Sequence, residues 1–153
     1  MFESGKRVCM DAQINTGVLA GWTVLVIDDE PSVLRMTADV LYYFGATVHT
    51  ASDGREGVSM ALALHPHFIV TDLSMPGVDG WDLLFELRLH EETACIPVIA
   101  LTAQRMTGNH ERALLAGFDH FVSKPITPSL FIRDLLRVLE RIPGLQQHLR
   151  AVG

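Results

Sequence analysis

Residues 24–34 read VLVIDDEPSVL. Four apolar residues run without interruption into three acids, and the acids run into a proline. An unbroken apolar run of this length fits a parallel strand covered on both faces. Pro31 suits the first turn of a helix. Val33, Met36, Val40, Leu41 and Phe44 then recur at helical spacing as far as Gly45, a residue suited to a C-terminal cap. The stretch is therefore one strand–turn–helix unit, with its carboxylates at the C-terminal end of the strand.

The unit recurs along the chain. FIV at 68–70 and VIAL at 98–101 are further uninterrupted runs, and FV at 121–122 is a weaker one. ATVHTA at 46–51 alternates, which places it near a sheet edge. Helices are expected at about 54–64, 80–90, 104–116 and 127–141, with Gly117 closing the fourth helix of the series. Phe131, Leu135, Val138, Leu139 and Ile142 form the apolar stripe of the last one. Strand and helix alternate five times, which predicts an α/β three-layer sandwich with right-handed crossovers. Residues 1–21 lack periodicity and read as a tail. The domain is expected over 22–142, and Pro143 and Gly144 open a second tail over 143–153.

Composition narrows the function. A chain of 153 residues with 48% apolar content suits one domain with a sizeable core. Its net charge of −6 disfavours non-specific nucleic-acid binding. No apolar run reaches the roughly 18 residues of a membrane span, and the first residues lack the apolar core of a secretory signal. Cys9 and Cys95 make neither a disulfide framework nor a zinc cluster. A soluble, cytoplasmic setting is expected, with Cys95 as a small apolar filler ahead of the fourth strand. The histidines read as surface or loop residues. Phosphate-loop and dinucleotide glycine motifs are absent.

The acids are placed informatively. Asp28, Asp29 and Glu30 follow the first strand and Asp72 ends the third; Thr102 ends the fourth and Lys124 follows the fifth. In an open α/β sheet the C-terminal strand edges share one crevice, where ligands bind. Any one of these residues alone is explained by helix capping or turn geometry. The full set at four strand ends is not. Clustered carboxylates without Cys or His favour Mg²⁺. A lysine and a threonine beside them suit an anion. Metal, lysine and a carboxylate nucleophile together point to phosphoryl transfer onto Asp72.

With these residues in view, the chain resembles the receiver domain of two-component response regulators over about residues 22–141. The matching segments are VLVIDDEPSVL at 24–34, VTDLSMPGVDGWDLL at 70–84, PVIALTA at 97–103 and GFDHFVSKPI at 117–126. They occur in the family's order and spacing. The resemblance implies a flavodoxin-like fold with strand order 2-1-3-4-5 and Asp72 as phosphoacceptor. It implies Mg²⁺ bound by Asp29, Asp72 and the backbone carbonyl of Ser74, with Asp28 acting through a metal-bound water. Thr102 would move onto the phosphoryl oxygens, and Lys124 would pair with the phosphoryl group ahead of a cis bond to Pro125. Met75, Pro76 and Gly77 would shape the neighbouring loop. Ser74 and Gln104 occupy positions that tune phosphoryl lifetime, and Phe121 stands where the family carries a switching aromatic residue.

The expected function is a signalling switch without an attached effector, not a turnover enzyme. It would take a phosphoryl group from a sensor histidine kinase or histidine phosphotransfer protein. It would then either bind a downstream protein through the face of the fourth helix, fifth strand and last helix, or pass the group on in a relay. Nucleic acid and membrane are not expected partners. Arg133, Arg137 and Arg141 share one face of the last helix and read as a solvated surface. Two alternatives are a receiver cut from a hybrid kinase and an aspartyl-phosphate hydrolase. The hydrolases place an Asp-x-Asp nucleophile on the first strand, where this chain has Asp-Asp-Glu.

Overall fold

The computed structural model describes residues 16–102, 116–124 and 127–142. Five parallel strands are β1 (Thr23–Ile27), β2 (Thr47–Ala51), β3 (Phe68–Asp72), β4 (Val98–Thr102) and β5 (His120–Ser123). They form one sheet in the order β2-β1-β3-β4-β5. Among the described residues the helices are α1 (Pro31–Tyr43), α2 (Gly54–Leu64), α3 (Gly80–Leu89) and α4 (Pro128–Glu140). This is the flavodoxin-like order, with the alternating strand at the sheet edge. The helix expected over 104–116 lies almost entirely outside the described residues, as do Gln104 and Pro125.

Strand alternation divides the core into two layers. Val24, Val26, Phe68, Val70, Ile99 and Leu101 face one side and pack against α1 and α4. Leu25, Ile27, Ile69, Val98 and Ala100 face the other and pack against α2 and α3. Burial on both faces explains why the central strands read as unbroken apolar runs. Local signals set the helix ends. Pro31 and Pro128 open α1 and α4, and Gly45, with φ of 103°, follows the end of α1. Asp53 caps α2 by accepting the Glu56 N–H, and Asp79 caps α3 by accepting the Asp82 N–H.

Two expectations change. Residues 1–21 lack periodicity and read as a tail, yet residues 16–21 form a turn that packs on the domain. Leu19 is fully buried in the α1/α4 layer, and its N–H donates to the Phe44 carbonyl at 2.9 Å. A turn makes its contacts without helical or strand periodicity, so no pattern announced them. Cys95 is exposed and is not a core filler. It lies on the surface turn after α3, while Ile96 and Val98 take the buried positions beside it.

Leu19→Ala is expected to cost about 2–5 kcal/mol, the range for emptying a fully buried leucine site. Urea denaturation checks this; a change below about 0.5 kcal/mol would return residues 16–21 to the status of a tail.

Candidate functional site

Parallel register decides which side chains meet. Ile27 lies opposite Thr71, so the residues that follow, Asp28 and Asp72, come to the sheet edge side by side. Asp72 lies opposite Leu101, and Thr102 lies opposite Ser123. Lys124 follows Ser123 and donates its backbone N–H to the Thr102 carbonyl at 2.8 Å. Four strand ends therefore contribute to one crevice.

The side chains complete the arrangement. Lys124 Nζ donates to Asp72 Oδ1 at 3.2 Å and to Asp28 Oδ2 at 3.3 Å. Asp28 Oδ1 accepts the Glu30 N–H at 2.9 Å, and the Ser74 N–H donates to the Asp72 carboxylate. Asp28, Asp72 and Thr102 are buried, whereas Asp29 faces solvent. One oxygen from each of Asp28, Asp29 and Asp72 falls within 4.8 Å of the others.

The electrostatics follow from this crowding. Burial pushes the Asp72 carboxyl above its ordinary value, and the Asp28 charge pushes the same way; Lys124 opposes both without cancelling them. Burial works against the Lys124 ammonium, but Asp28 and Asp72 outweigh it and hold Lys124 above the ordinary lysine value. Three carboxylates against one lysine leave surplus negative charge in a pocket lined by oxygen donors. That donor set fits a hard divalent cation such as Mg²⁺.

The expected residues thus come together in large part. Asp28, Asp29, Asp72 and Lys124 converge, Thr102 stands at the neighbouring strand end, and Ser74 reaches Asp72 through its backbone. Phe121 is set deeper on β5, opposite Ala100, half-buried against the α2/α3 layer. Sequence reasoning missed Gly80. It opens α3 directly against the end of β3, and a Cβ there would collide with the Asp72 carbonyl oxygen and sit 2.9 Å from Leu73 Cα. Gly54 opens α2 in the same way against the Val78 carbonyl. The available signal was a glycine in the first turn of an expected helix, a place where it has no propensity advantage over alanine.

Comparison with known proteins agrees with this geometry. Residues 24–135 match the family model described as the response regulator receiver domain. The chain belongs to that family. The receiver is 35% identical over 128 residues to RpaA, a DNA-binding dual master transcriptional regulator of Synechocystis; the match covers 82% of this chain and 53% of RpaA. The chain thus spans about half the length of that relative. The fold of this receiver superposes on the Vibrio cholerae chemotaxis protein CheY4 with a TM-score of 0.73 at 28% identity, over 78% of this chain and 100% of CheY4. The receiver domain of the Pseudomonas aeruginosa sensor histidine kinase PA1611 aligns with a TM-score of 0.69 at 30% identity, over 77% of this chain and 97% of that domain. That structure has a magnesium ion coordinated in its active-site cleft.

The raised Asp72 value has a consequence for stability. The folded protein holds the Asp72 proton to higher pH than the unfolded chain does. The stabilisation is full below the unfolded value of 3.8 and is lost as pH rises through the folded value, so ionised Asp72 opposes folding at neutral pH. In metal-free buffer at pH 7, Asp72→Asn is expected to raise the thermal midpoint by a few degrees, on the order of 1 kcal/mol. A midpoint equal to or below wild type in calorimetry would show that Lys124 already neutralises the site.

Proposed function

We propose that this receiver is a phosphorylation-dependent signalling switch that accepts a phosphoryl group on Asp72. The observation that carries this reading is Lys124 Nζ bridging Asp72 Oδ1 and Asp28 Oδ2 beside a three-carboxylate cluster. The donor is a phosphohistidine of a sensor histidine kinase or histidine phosphotransfer protein. An Asp72 carboxylate oxygen forms the new bond to phosphorus. The bond from phosphorus to the histidine nitrogen breaks, and the imidazole keeps the electron pair. Hydrolysis later returns Asp72 to the carboxylate, so the protein assists its own modification without being a turnover enzyme.

Asp29, Asp72 and the Ser74 carbonyl would hold Mg²⁺, with Asp28 behind them, and the ion would neutralise charge on the transferring group. Lys124 supplies the fixed cation of the site. Already paired with Asp72, it stays beside the modified side chain and answers the phosphoryl charge with little rearrangement. The modification adds about −1.5 to −2 charges and three acceptor oxygens. Thr102 is the short neutral donor placed to answer them.

The response travels through packing. Strand alternation puts Thr102 on the same sheet face as Ala100, and Phe121 lies opposite Ala100. Motion of Thr102 towards the phosphoryl group frees space that half-buried Phe121 fills. The surface around β5 and α4 changes shape, and a downstream protein reads the change. Moving a population from 1:99 to 99:1 takes about 5.5 kcal/mol. A few charge-assisted hydrogen bonds at roughly 1.5–3 kcal/mol each reach that order.

Incubation with acetyl phosphate and Mg²⁺ is expected to add one phosphate mass, lost on hydroxylamine treatment and absent in excess EDTA. Persistence of the label in Asp72→Asn rules the assignment out. Thr102→Ala is expected to accept the same phosphate, while the Phe121 ring resonances, which move on phosphorylation in wild type, stay in place. Equal movement of the Phe121 resonances in both proteins would separate the switch from this threonine.

A further inference from the structure

Helix α3 is apolar on the side turned away from the protein as well as on the side turned inward. Gly80, Leu83, Leu84 and Leu87 are its buried residues. On the opposite face Phe85 and Leu89, one turn apart, remain 64% and 63% exposed. The exposed tyrosines of α1, Tyr42 and Tyr43, each offer water a hydroxyl. Phe85 and Leu89 have no polar atom to offer, so their exposure carries an uncompensated hydration cost. Single exposed apolar residues are ordinary, whereas Phe85 and Leu89 lie together on one helix face.

Charge decides what the surface fits. Asp82 and Glu86, also one turn apart, flank the apolar pair and are exposed, and Glu91 and Glu92 lie exposed just beyond the helix. The nearest cation on the helix, Arg88, is turned away. It donates to the Ile96 carbonyl at 2.8 Å and the Gly117 carbonyl at 3.2 Å, and it pairs with Asp119 at 3.3 Å. Asp82, Phe85 and Glu86 line a groove against α2 together with Val58, Ser59, Val78 and Arg55, a cation at the α2 end of the acidic rim. An apolar ridge with an acidic rim and an adjoining groove complements a helix with the opposite pattern.

We infer that the outer face of α3 is a docking surface for a basic amphipathic helix of a partner protein. The partner's apolar stripe would cover Phe85 and Leu89, and its Lys and Arg side chains would meet Asp82, Glu86, Glu91 and Glu92. The surface lies on the opposite side of the sheet from α1 and α4. It is present in the unmodified protein, so the inference stands apart from phosphorylation at Asp72.

The test uses the full chain, unphosphorylated, with a labelled synthetic helical peptide of about four turns that carries a leucine stripe flanked by lysines. A second peptide has glutamate in place of each lysine. Anisotropy is expected to show binding of the basic peptide and none of the acidic one, with amide shifts concentrated over residues 80–92. The Phe85→Ala/Leu89→Ala variant is expected to lose at least about tenfold in affinity. Glu86→Lys is expected to weaken the basic peptide, whereas Tyr42→Ala/Tyr43→Ala leaves it unchanged. All these positions are exposed, so circular dichroism should show unaltered folding. Equal binding of both peptides, shifts centred on α1 and α4, or full affinity in the Phe85/Leu89 variant would overturn the proposal. So would a concentration-dependent dimer in sedimentation that the same double variant abolishes, because the occupant would then be a second copy of this chain.

Discussion

The contact of Lys124 with Asp28 and Asp72 is the interaction on which the site depends. Two carboxylates at the ends of adjacent strands, both withdrawn from water, repel each other strongly at low effective dielectric. One ammonium placed between them, at 3.2 and 3.3 Å, makes the arrangement tolerable. Buried ion pairs are a poor source of net stability, and here the lysine does not remove the excess charge. The excess charge is instead kept at the sheet edge, where a bound cation would offset it. Removal of Lys124 would leave two uncompensated acids, the costlier defect.

The scaffold holds this crowding by covalent and steric means. β3 delivers Asp72, and the chain must then turn away at once so that α3 can pack beneath it. Gly80 lets the first turn of α3 rest on the Asp72–Leu73 backbone, and Gly54 lets α2 close on Val78. The loop that follows the acid is thereby gripped by two helix starts. Asp53 and Asp79 cap those helices by accepting backbone N–H groups, whereas Asp28 and Asp72 turn their carboxylates to Lys124.

The two faces of α3 show the same economy. Its inner face completes the core beneath β3 and β4, and its first residue fixes the Asp72 loop. Its outer face carries an apolar pair that the core does not use. A helix apolar on both sides has weak amphipathic patterning, so sequence alone does not separate its inner face from its outer one. Trp81 is half-buried, with its ring 5.5 Å from that of Phe118. Leu84 is fully core.

By itself the sequence determined the class of fold, the strand order through family resemblance, and the candidate site residues. Unbroken apolar runs require cover on both faces, and polar residues placed just after such runs must emerge at one sheet edge. Those are local rules, and Asp28, Asp72, Thr102 and Lys124 obeyed them. Tertiary structure alone decided the rest. Leu19 became core because a turn can fold back onto Phe44 without periodicity, and Cys95 became surface because Ile96 and Val98 filled the space beside it. Asp28 was buried and Asp29 left in water because adjacent residues leave a strand in opposite directions, and only the packed layers say which direction is inward. The lysine bridge itself needed the parallel register, since the partners lie 96 and 52 residues away along the chain.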